Sequence, residues 1–442
     1  MFEPGSFSRR DFVATTGGAA LASLAGPLPA SARASGAKRR FAMAGTGHRG
    51  TSMWGAELLQ RHPDAVEFVG LCDTNPLRAE AGRKLIGVSC PTFTDVDTML
   101  DATRPDILMV TTVDAEHHKL IIKGLERGLH VITEKPMVTD EVQCQAVLDA
   151  EKRTGHKITV AFNYRYSPKH RRVKELLAEG AIGRITSVDF SWYLDTSHGA
   201  DYFRRWHRLR ERGGTLFVHK ATHHFDLINW WLDADPVTVY AAGDLKKYGS
   251  LGPFRHTNCR PCPHKAKCPF HFDVTRDARL TALYSDCESF DGYTRDGCVF
   301  KEDIDIFDTM SALVRYSSDV SMAYSVNAFM PFEGHRVAIN GESGRLEMRD
   351  YERQPWEEGP DTVIELTRNF GKRELIRVAP GQGGHAGGDP ALQQAIFGGT
   401  EPPPHMRLPG SRAGALSCLT GIAARKSVAE KRPVQISDLV RL

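Results

Sequence analysis

Three sets of residues have the types and spacing to do chemistry. The first is Glu134-Lys135-Pro136. The apolar run from Leu129 to Thr133 reads as a buried strand, and proline pushes the residue before it into an extended or turn conformation. Lys135 is therefore expected at a strand tip, and the carboxyl edge of an open α/β sheet is where such sheets bind ligands. A lone lysine is otherwise a solvated surface group, so its neighbours must decide. The second set is Gly213-Gly214 followed by His219, His223, His224 and Asp226, leading into an apolar helix from 227 to 232. His223 and Asp226 share a helix face, and an imidazole titrates close enough to neutrality to accept a proton. The third is Cys259-x2-Cys262-x5-Cys268 in a basic, loop-like stretch, with Cys287, Cys298, His264 and His271 as candidate fourth partners and Cys298 preferred. Such spacing suits a structural zinc or an iron–sulfur cluster. It also suits disulfides in an oxidising compartment.

The elements that position these residues begin with a short apolar strand, Phe41-Ala42-Met43-Ala44. Gly45-Thr46-Gly47-His48-Arg49-Gly50 follows, then a helix over 51–60. In a strand–turn–helix of this kind Gly45 permits the tight turn, Gly47 lets the main chain approach a pyrophosphate, and Gly50 lets the helix pack on the strand. A second strand, 66–72, ends in Asp73, 23 residues past Gly50. That is near the spacing for a carboxylate that accepts from ribose hydroxyls. Such a carboxylate repels a 2′-phosphate, and Thr74-Asn75-Pro76 brings no arginine, so NAD is expected rather than NADP. Helices over 98–104, 116–127 and 140–153 alternate with strands over 107–112, 129–133 and 158–162, the pattern of a parallel doubly wound sheet. Thr111 and Thr112 fall on its cofactor edge.

Beyond residue 162, helix 169–179 and an alternating strand over 185–194 lead to Asp201-Tyr202-Phe203-Arg204-Arg205-Trp206-His207-Arg208. Arginines interleaved with aromatics suit nucleic acid, but the net charge is only +3 over 442 residues and the stretch is isolated. A sugar, stacked on its ring faces and hydrogen-bonded at its hydroxyls, fits Arg205, Trp206 and His207; plain packing is the other reading. Strands are expected over 312–316, 321–326 and 336–347, a closing helix over 416–430 and an edge strand over 433–436. The glycine-rich stretch from Gly381 to Gly388, around His385, reads first as an inert loop, with a mobile lid or an inter-subunit loop as the alternatives. At the other end, Ser8-Arg9-Arg10-Asp11-Phe12-Val13, a weakly hydrophobic run and Ala30-Ser31-Ala32-Arg33-Ala34 resemble a twin-arginine export signal over residues 1–34. The expected partner is then the Tat translocase, and the expected location the periplasm or outside the cell.

Gly45-x-Gly47-x-x-Gly50, Thr112-x-Asp114-x-x-His117 and Glu134-Lys135-Pro136 together resemble the Gfo/Idh/MocA oxidoreductase family. The resemblance implies an α/β chain with a Rossmann domain over 38–162 and a C-terminal α/β domain over 163–442. The second domain is built on a large open, mostly antiparallel sheet, and here it carries a cysteine-rich insert at about 255–300. It implies NAD held by Gly45, Gly47, His48, Arg49, Gly50, Asp73, Thr111, Thr112, His117, Glu134 and Lys135. Lys135 would contact the reacting hydroxyl, and His223 would be the acid/base. The family's aspartate is His219 here and its glycine is Ala221; a histidine at 219 exchanges a proton or binds a metal where the family has a carboxylate. Tyr164 and Arg165 open the substrate domain, Arg165 as a pocket residue or a structural salt bridge, and His224 joins them. The implied activity is NAD-dependent oxidation or reduction of a ring hydroxyl of a sugar, glycoside or cyclitol by a homo-oligomer, with the cofactor loaded before export and retained. A redox-neutral glycoside-cleaving enzyme and a non-catalytic sugar-binding protein are the rivals, although the Tyr-Pro-Thr-His-Gly signature of NAD-dependent glycosidases is absent.

Overall fold

The computed structural model describes residues 37–400 and 402–442. The export-signal reading lies on residues 1–34, outside the described residues. Among the described residues no helix is long and apolar enough to cross a membrane.

Six parallel strands form the first sheet: β1 Arg39–Ala44, β2 Val66–Cys72, β3 Thr92–Phe93, β4 Ile107–Val110, β5 His130–Thr133 and β6 Ile158–Val160, in the order β3-β2-β1-β4-β5-β6. β4 is buried along its whole length, as a strand must be when helices cover both faces of a sheet. The order reverses beside β1, so β1 and β4 diverge at the switch point where such sheets take ligands. The segment after β1 is helical from 48 to 61, but Ser52–Glu57 is wound as a π turn. Apolar periodicity cannot distinguish that turn from α-helix.

The second sheet has nine strands: β7 Ile185–Asp195, β8 Pro236–Asp244, β9 Thr309–Tyr316, β10 Ser321–Met330, β11 Glu333–Gly341, β12 Gly344–Arg353, β13 Thr362–Arg368, β14 Arg373–Val378 and β15 Val434–Gln435. Their order is β14-β13-β12-β11-β7-β10-β9-β8-β15, antiparallel throughout except where β7 meets β10. β9 alternates buried and exposed residues, so one face is packed and the other open. The helices Ala221–Leu232 and Ser411–Glu430 pack on each other, and Ser411–Glu430 lies on β8. Cross-strand partners Tyr240 and Leu313 are exposed on the open face. The α/β class and the large, mostly antiparallel second sheet are as expected. The helices Pro76–Ile86, Thr196–Arg204 and Gly388–Phe397 and the strands β3, β8, β13 and β14 were not.

Residues 249–291 carry only short helical turns, and part of this insert sits on the first sheet rather than the second. Arg78 Nε donates to the Leu283 carbonyl at 3.1 Å, Asn75 Nδ2 to the Cys287 carbonyl at 2.9 Å, and Arg78 Nη2 to Asp291 at 2.7 Å. All nine cysteines are unpaired, which corrects the disulfide reading of this segment.

The helix Thr196–Arg204 meets β10 with no room between them. A Cβ on Gly199 would stand 1.7 Å from the Ala328 carbonyl oxygen. Gly199→Ala must lift the helix from the strand and is expected to cost about 2 kcal/mol, a fall in Tm of several degrees by calorimetry. Gly359→Ala, where a Cβ meets nothing within 4 Å, is expected to leave Tm unchanged.

Candidate active site

The glycine turn is set by contacts that admit no side chain at two positions. Gly45 has φ +96°, and a Cβ there would lie 2.6 Å from the Thr111 main chain. Thr111 Oγ1 donates to the Gly45 carbonyl at 2.5 Å and Gly45 N–H donates to the Cys72 carbonyl at 2.8 Å, locking the turn to both neighbouring strands. A Cβ on Gly50 would stand 2.5 Å from the Gly45 carbonyl oxygen, so the helix closes directly on the turn. Gly47 faces open space except for the Tyr284 hydroxyl, which accepts from His48 N–H at 3.0 Å. Thr112 is half-buried beside this edge.

Asp73 Oδ2 accepts from Thr46 N–H at 3.0 Å and Thr46 Oγ1 at 3.1 Å, and Oδ1 accepts from Asn75 N–H at 3.0 Å and Arg78 Nη1 at 3.2 Å. Its acceptor capacity is filled, so a ribose hydroxyl enters by displacing one of these donors. Arg78 is the arginine that the Thr74-Asn75-Pro76 reading missed. Its pairing with Asp73 and Asp291 balances its charge and leaves no bias toward a 2′-phosphate. An open Gly47, a helix start and Asp73 fit a dinucleotide without that phosphate.

Three residues expected to touch the cofactor instead brace its site. Arg49 spends its guanidinium on Glu134 at 2.7 Å and on both oxygens of Asp389 at 2.9 and 2.8 Å. Glu134 also accepts from Trp54 Nε1 at 2.8 Å. Burial works against its charge, but Arg49 and Lys135 outweigh it and hold the carboxylate below its usual range. The buried His117 ring sits between the Pro136 carbonyl at 2.8 Å and the Thr112 carbonyl at 3.1 Å, tying together the two strand ends that carry Lys135 and Asp114.

Lys135 Nζ donates to the His219 carbonyl at 3.3 Å, which brings the lysine of the first sheet against the histidine segment beside the second. Burial lowers its pKa to about 8; Asp114 and Glu134 pull it back up, and Lys220 and Arg49 push it further down. The family's carboxylate is missing at 219, yet a carboxylate is present. Asp114 Oδ2 lies 2.5 Å from His219 Nδ1. Burial raises the Asp114 carboxyl well above its usual range, with Lys135 and Arg205 opposing. Burial, then Lys135 and Arg205, holds His219 neutral. The Asp114 carboxyl group, on a strand end of the first sheet, thus orients the His219 ring through Nδ1.

His223 is buried, stacks on Tyr164 with centroids 4.2 Å apart, and is kept neutral by burial first and then by Lys135 and Lys220. Its Nδ1 has no hydrogen-bond partner. Two neighbours were not anticipated. Lys220 is buried, donates to the Tyr164 hydroxyl at 3.3 Å and lies 4.4 Å over the Trp192 ring. His385, in the stretch read as an inert loop, has its ring 5.5 Å from Tyr164 and 6.1 Å from His223, and its Nδ1 is 2.9 Å from Asp389. The same Asp389 therefore anchors Arg49 and His385. The only sequence signal for this was the histidine itself among glycines.

Two residues named for the substrate are engaged elsewhere. Arg165 makes a bidentate pair with Asp226 at 2.7 and 2.6 Å, the structural salt bridge. His224 is fully buried, stacked on Trp192 at 4.4 Å with Nδ1 2.8 Å from the Tyr324 hydroxyl, so it packs the core. Arg205, Trp206 and His207 do reach the site. The His207 ring is 4.1 Å from His219 and 3.6 Å from Trp206, and the Arg205 charge bears on both Asp114 and His219.

With this geometry in place, the comparisons are decisive. Residues 39–162 match the NAD-binding Rossmann fold of an oxidoreductase family, and residues 174–436 match the C-terminal alpha/beta domain of the same family. The chain belongs to the Gfo/Idh/MocA oxidoreductase family. It is 38% identical over 425 residues to YteT of Bacillus subtilis (strain 168), a protein that carries an oxidoreductase name, covering 91% of this chain and 99% of that one. It is 26% identical to an inositol 2-dehydrogenase of Rhizobium meliloti (strain 1021), over 49% of this chain and 62% of that enzyme. Among solved structures it shares the fold of a levoglucosan dehydrogenase in complex with NADH and levoglucosan, with a TM-score of 0.66 and 19% identity over 90% of this chain and 99% of that one. It shares it also with an aldose-aldose oxidoreductase from Caulobacter crescentus, with a TM-score of 0.61 and 15% identity over 90% and 99%. This Gfo/Idh/MocA member is accordingly an NAD-binding oxidoreductase.

Lys135→Ala is expected to lower kcat/KM by about 10²–10³, the loss typical of one donor at a developing oxyanion. In the ketone-reducing direction the charged ammonium is the working form. Because its pKa is about 8, the rate should fall as pH rises through about 8. Lys135→Arg should remove that alkaline limb from a pH–rate profile, whatever rate it retains.

Proposed function

We propose that the enzyme oxidises or reduces a ring hydroxyl of a sugar, glycoside or cyclitol, with NAD retained between turnovers. The observation that carries this reading is the meeting of Lys135 with neutral, buried histidines at the carboxyl edge of the first sheet. Oxidising a secondary alcohol removes hydride from carbon and a proton from oxygen. NAD, when bound, supplies the hydride acceptor. His223 takes the proton, since a neutral imidazole is a competent base. Lys135 stabilises the alkoxide as it forms and polarises the ketone on return. Asp114, acting through His219, stands in for the carboxylate that other family members carry at this position and opposes the loss of charge from Lys135. Trp206, Tyr164 and Arg205 offer ring faces and donors suited to a polyhydroxylated ring.

Retention is supported by the insert. Tyr284, the Cys287 carbonyl and Asp291 sit on the glycine turn and on the Asn75–Arg78 segment, so they cover the side by which a dinucleotide would leave. A retained cofactor suits Tat export, in which a folded protein crosses the membrane already loaded. It also calls for a second substrate to recycle NADH in place, as the name of the Caulobacter crescentus neighbour pairs two aldoses. A second copy would pack on the open face carrying Tyr240 and Leu313, as suits a homo-oligomer.

Acid-quenched protein purified after export is expected to release close to one NAD(H) per chain by mass spectrometry. Incubation with a panel of glycosides, aldoses and cyclitols is expected to give a keto product that Lys135→Ala does not form, although that variant keeps its NAD. A cleaved glycoside with no keto product would establish the redox-neutral cycle instead. Bound NAD with no turnover of any ring substrate would leave a binding protein.

A further inference from the structure

Four of the cysteines surround one small hole. Cys259, Cys262, Cys268 and Cys298 line a cavity of about 20 Å³, together with Arg204, Phe270 and His271. They come from separate turns drawn together by main-chain contacts. Asn258 bridges to Gly297, Cys259 N–H donates to the Asp296 carbonyl at 2.8 Å, and Cys298 N–H donates to the Thr257 carbonyl at 3.3 Å. Asp296, fully buried, accepts from Arg260 N–H at 2.9 Å and so fixes the first cysteine turn. The remaining cysteines lie elsewhere; Cys287 turns its sulfur to the Ala282 carbonyl.

The sulfurs are surrounded by donors. Phe300 N–H donates to Cys298 Sγ at 3.4 Å, and the main-chain N–H groups of Phe272 and Phe270 are directed at Cys259 and Cys268. For Cys268 and Cys298 the donor lies two residues beyond the cysteine. The buried Arg204 guanidinium donates to Cys259 Sγ at 3.4 Å while holding the carbonyls of Gly297 and Phe270. N–H donors and a nearby cation are the surroundings that stabilise metal-bound sulfurs and tune the metal they hold.

Spacing argues against a single zinc. Around a single zinc with bonds of about 2.3 Å, tetrahedral geometry puts sulfurs roughly 4 Å apart. Among the described residues, the one group of three or more ligand atoms mutually within 4.8 Å is His335, Asp350 and Glu352, where the Lys169 ammonium already sits on Asp350. No three of the four sulfurs therefore lie mutually within 4.8 Å, so they do not make the close tetrahedron of a single zinc.

We propose that Cys259, Cys262, Cys268 and Cys298 bind an iron–sulfur cluster, whose place in the fold is to staple the insert over the cofactor cleft. The stapling role rests on the reading that NAD is retained; the cluster itself does not. The same insert supplies Tyr284, the Cys287 carbonyl and Asp291 to the nucleotide side, and Arg295 on its far limb pairs with Asp201 at 2.6 Å, one turn from Arg205. Fixing its cysteine loop therefore limits movement of the cap as a whole.

The test is metal, acid-labile sulfide and NAD(H) analysis of the full-length protein purified without oxygen from a host that assembles clusters. Iron and sulfide are expected in equal amounts, about two or four of each per chain, with visible absorption that dithionite bleaches. Cys268→Ser with Cys298→Ser should abolish the iron and raise NAD loss on gel filtration at least tenfold, while circular dichroism shows that the chain is still folded. One zinc per chain without iron, four titratable free thiols without metal, or disulfides would each overturn the proposal. Iron with no NAD would leave the cluster standing and defeat the retained cofactor; NAD with no iron would do the reverse.

Discussion

Lys135 and the imidazoles around it share a site from which water is largely excluded, and charge in such a site must be balanced by other charge. Burial drives Lys135 toward its neutral form, and the same burial drives His219, His223 and His207 toward theirs. What keeps the ammonium available is the pair of carboxylates behind it, Asp114 and Glu134, each held in turn by contacts of its own. A lysine brought to about 8 gives up and recovers its proton readily near neutral pH, as both directions of an alcohol–ketone exchange require. The histidines face the opposite bias. Each is held towards its neutral form, in which an imidazole can accept a proton.

A histidine stands at 219, and the carboxyl group beside it comes from elsewhere in the chain. A carboxylate beside the lysine is needed for electrostatic reasons, but it need not come from position 219. Asp114, on the strand end next to that of Lys135, supplies it, and the His219 ring transmits it at 2.5 Å. The contact also joins a loop of the first sheet to the helical histidine segment beside the second. Asp389 repeats the device on the other side. It binds Arg49 from the glycine-turn helix, Asn163 at 2.6 Å and His385, so the framework of the cofactor turn and an imidazole near His223 depend on one carboxylate. Burial opposes the Asp389 charge, but Arg49 and then His385 outweigh it and keep it ionised far below the usual range.

Much of this was legible in the chain and some was not, for reasons that lie in the range of the interactions. The first sheet could be read because a strand buried on both faces is a short continuous apolar run punctuated by glycine, a local property. The glycine turn, Asp73 and Lys135 carry their meaning in spacing, so they too were visible. β8, β13 and β14 were not, because on an open face alternate positions such as Tyr240, Glu365 and Arg373 answer to solvent rather than to the core. Helix Thr196–Arg204 was hidden by Gly199, a poor helix former required there by the Ala328 carbonyl. The pairings that decide roles join residues 105 positions apart for Asp114 and His219, and 340 for Arg49 and Asp389. Without them Arg49 reads as a residue holding NAD and His385 as a loop residue. In space the first is a brace and the second a neighbour of His223.

The insert shows how one segment can serve two ends. Its cysteine loop lies beside Arg204, and Arg205, the next residue, reaches the electrostatics of Asp114 and His219. Successive side chains on this stretch thus point to different centres, one to the sulfurs and one to the reacting site. Because Arg204 is held by the carbonyls of Gly297 and Phe270 as well as by Cys259, the cysteine loop is tied to the stretch that carries Arg205. A loop remote in sequence from the glycine turn and the lysine is thereby joined, through adjoining residues, to a charge that bears on Asp114 and His219.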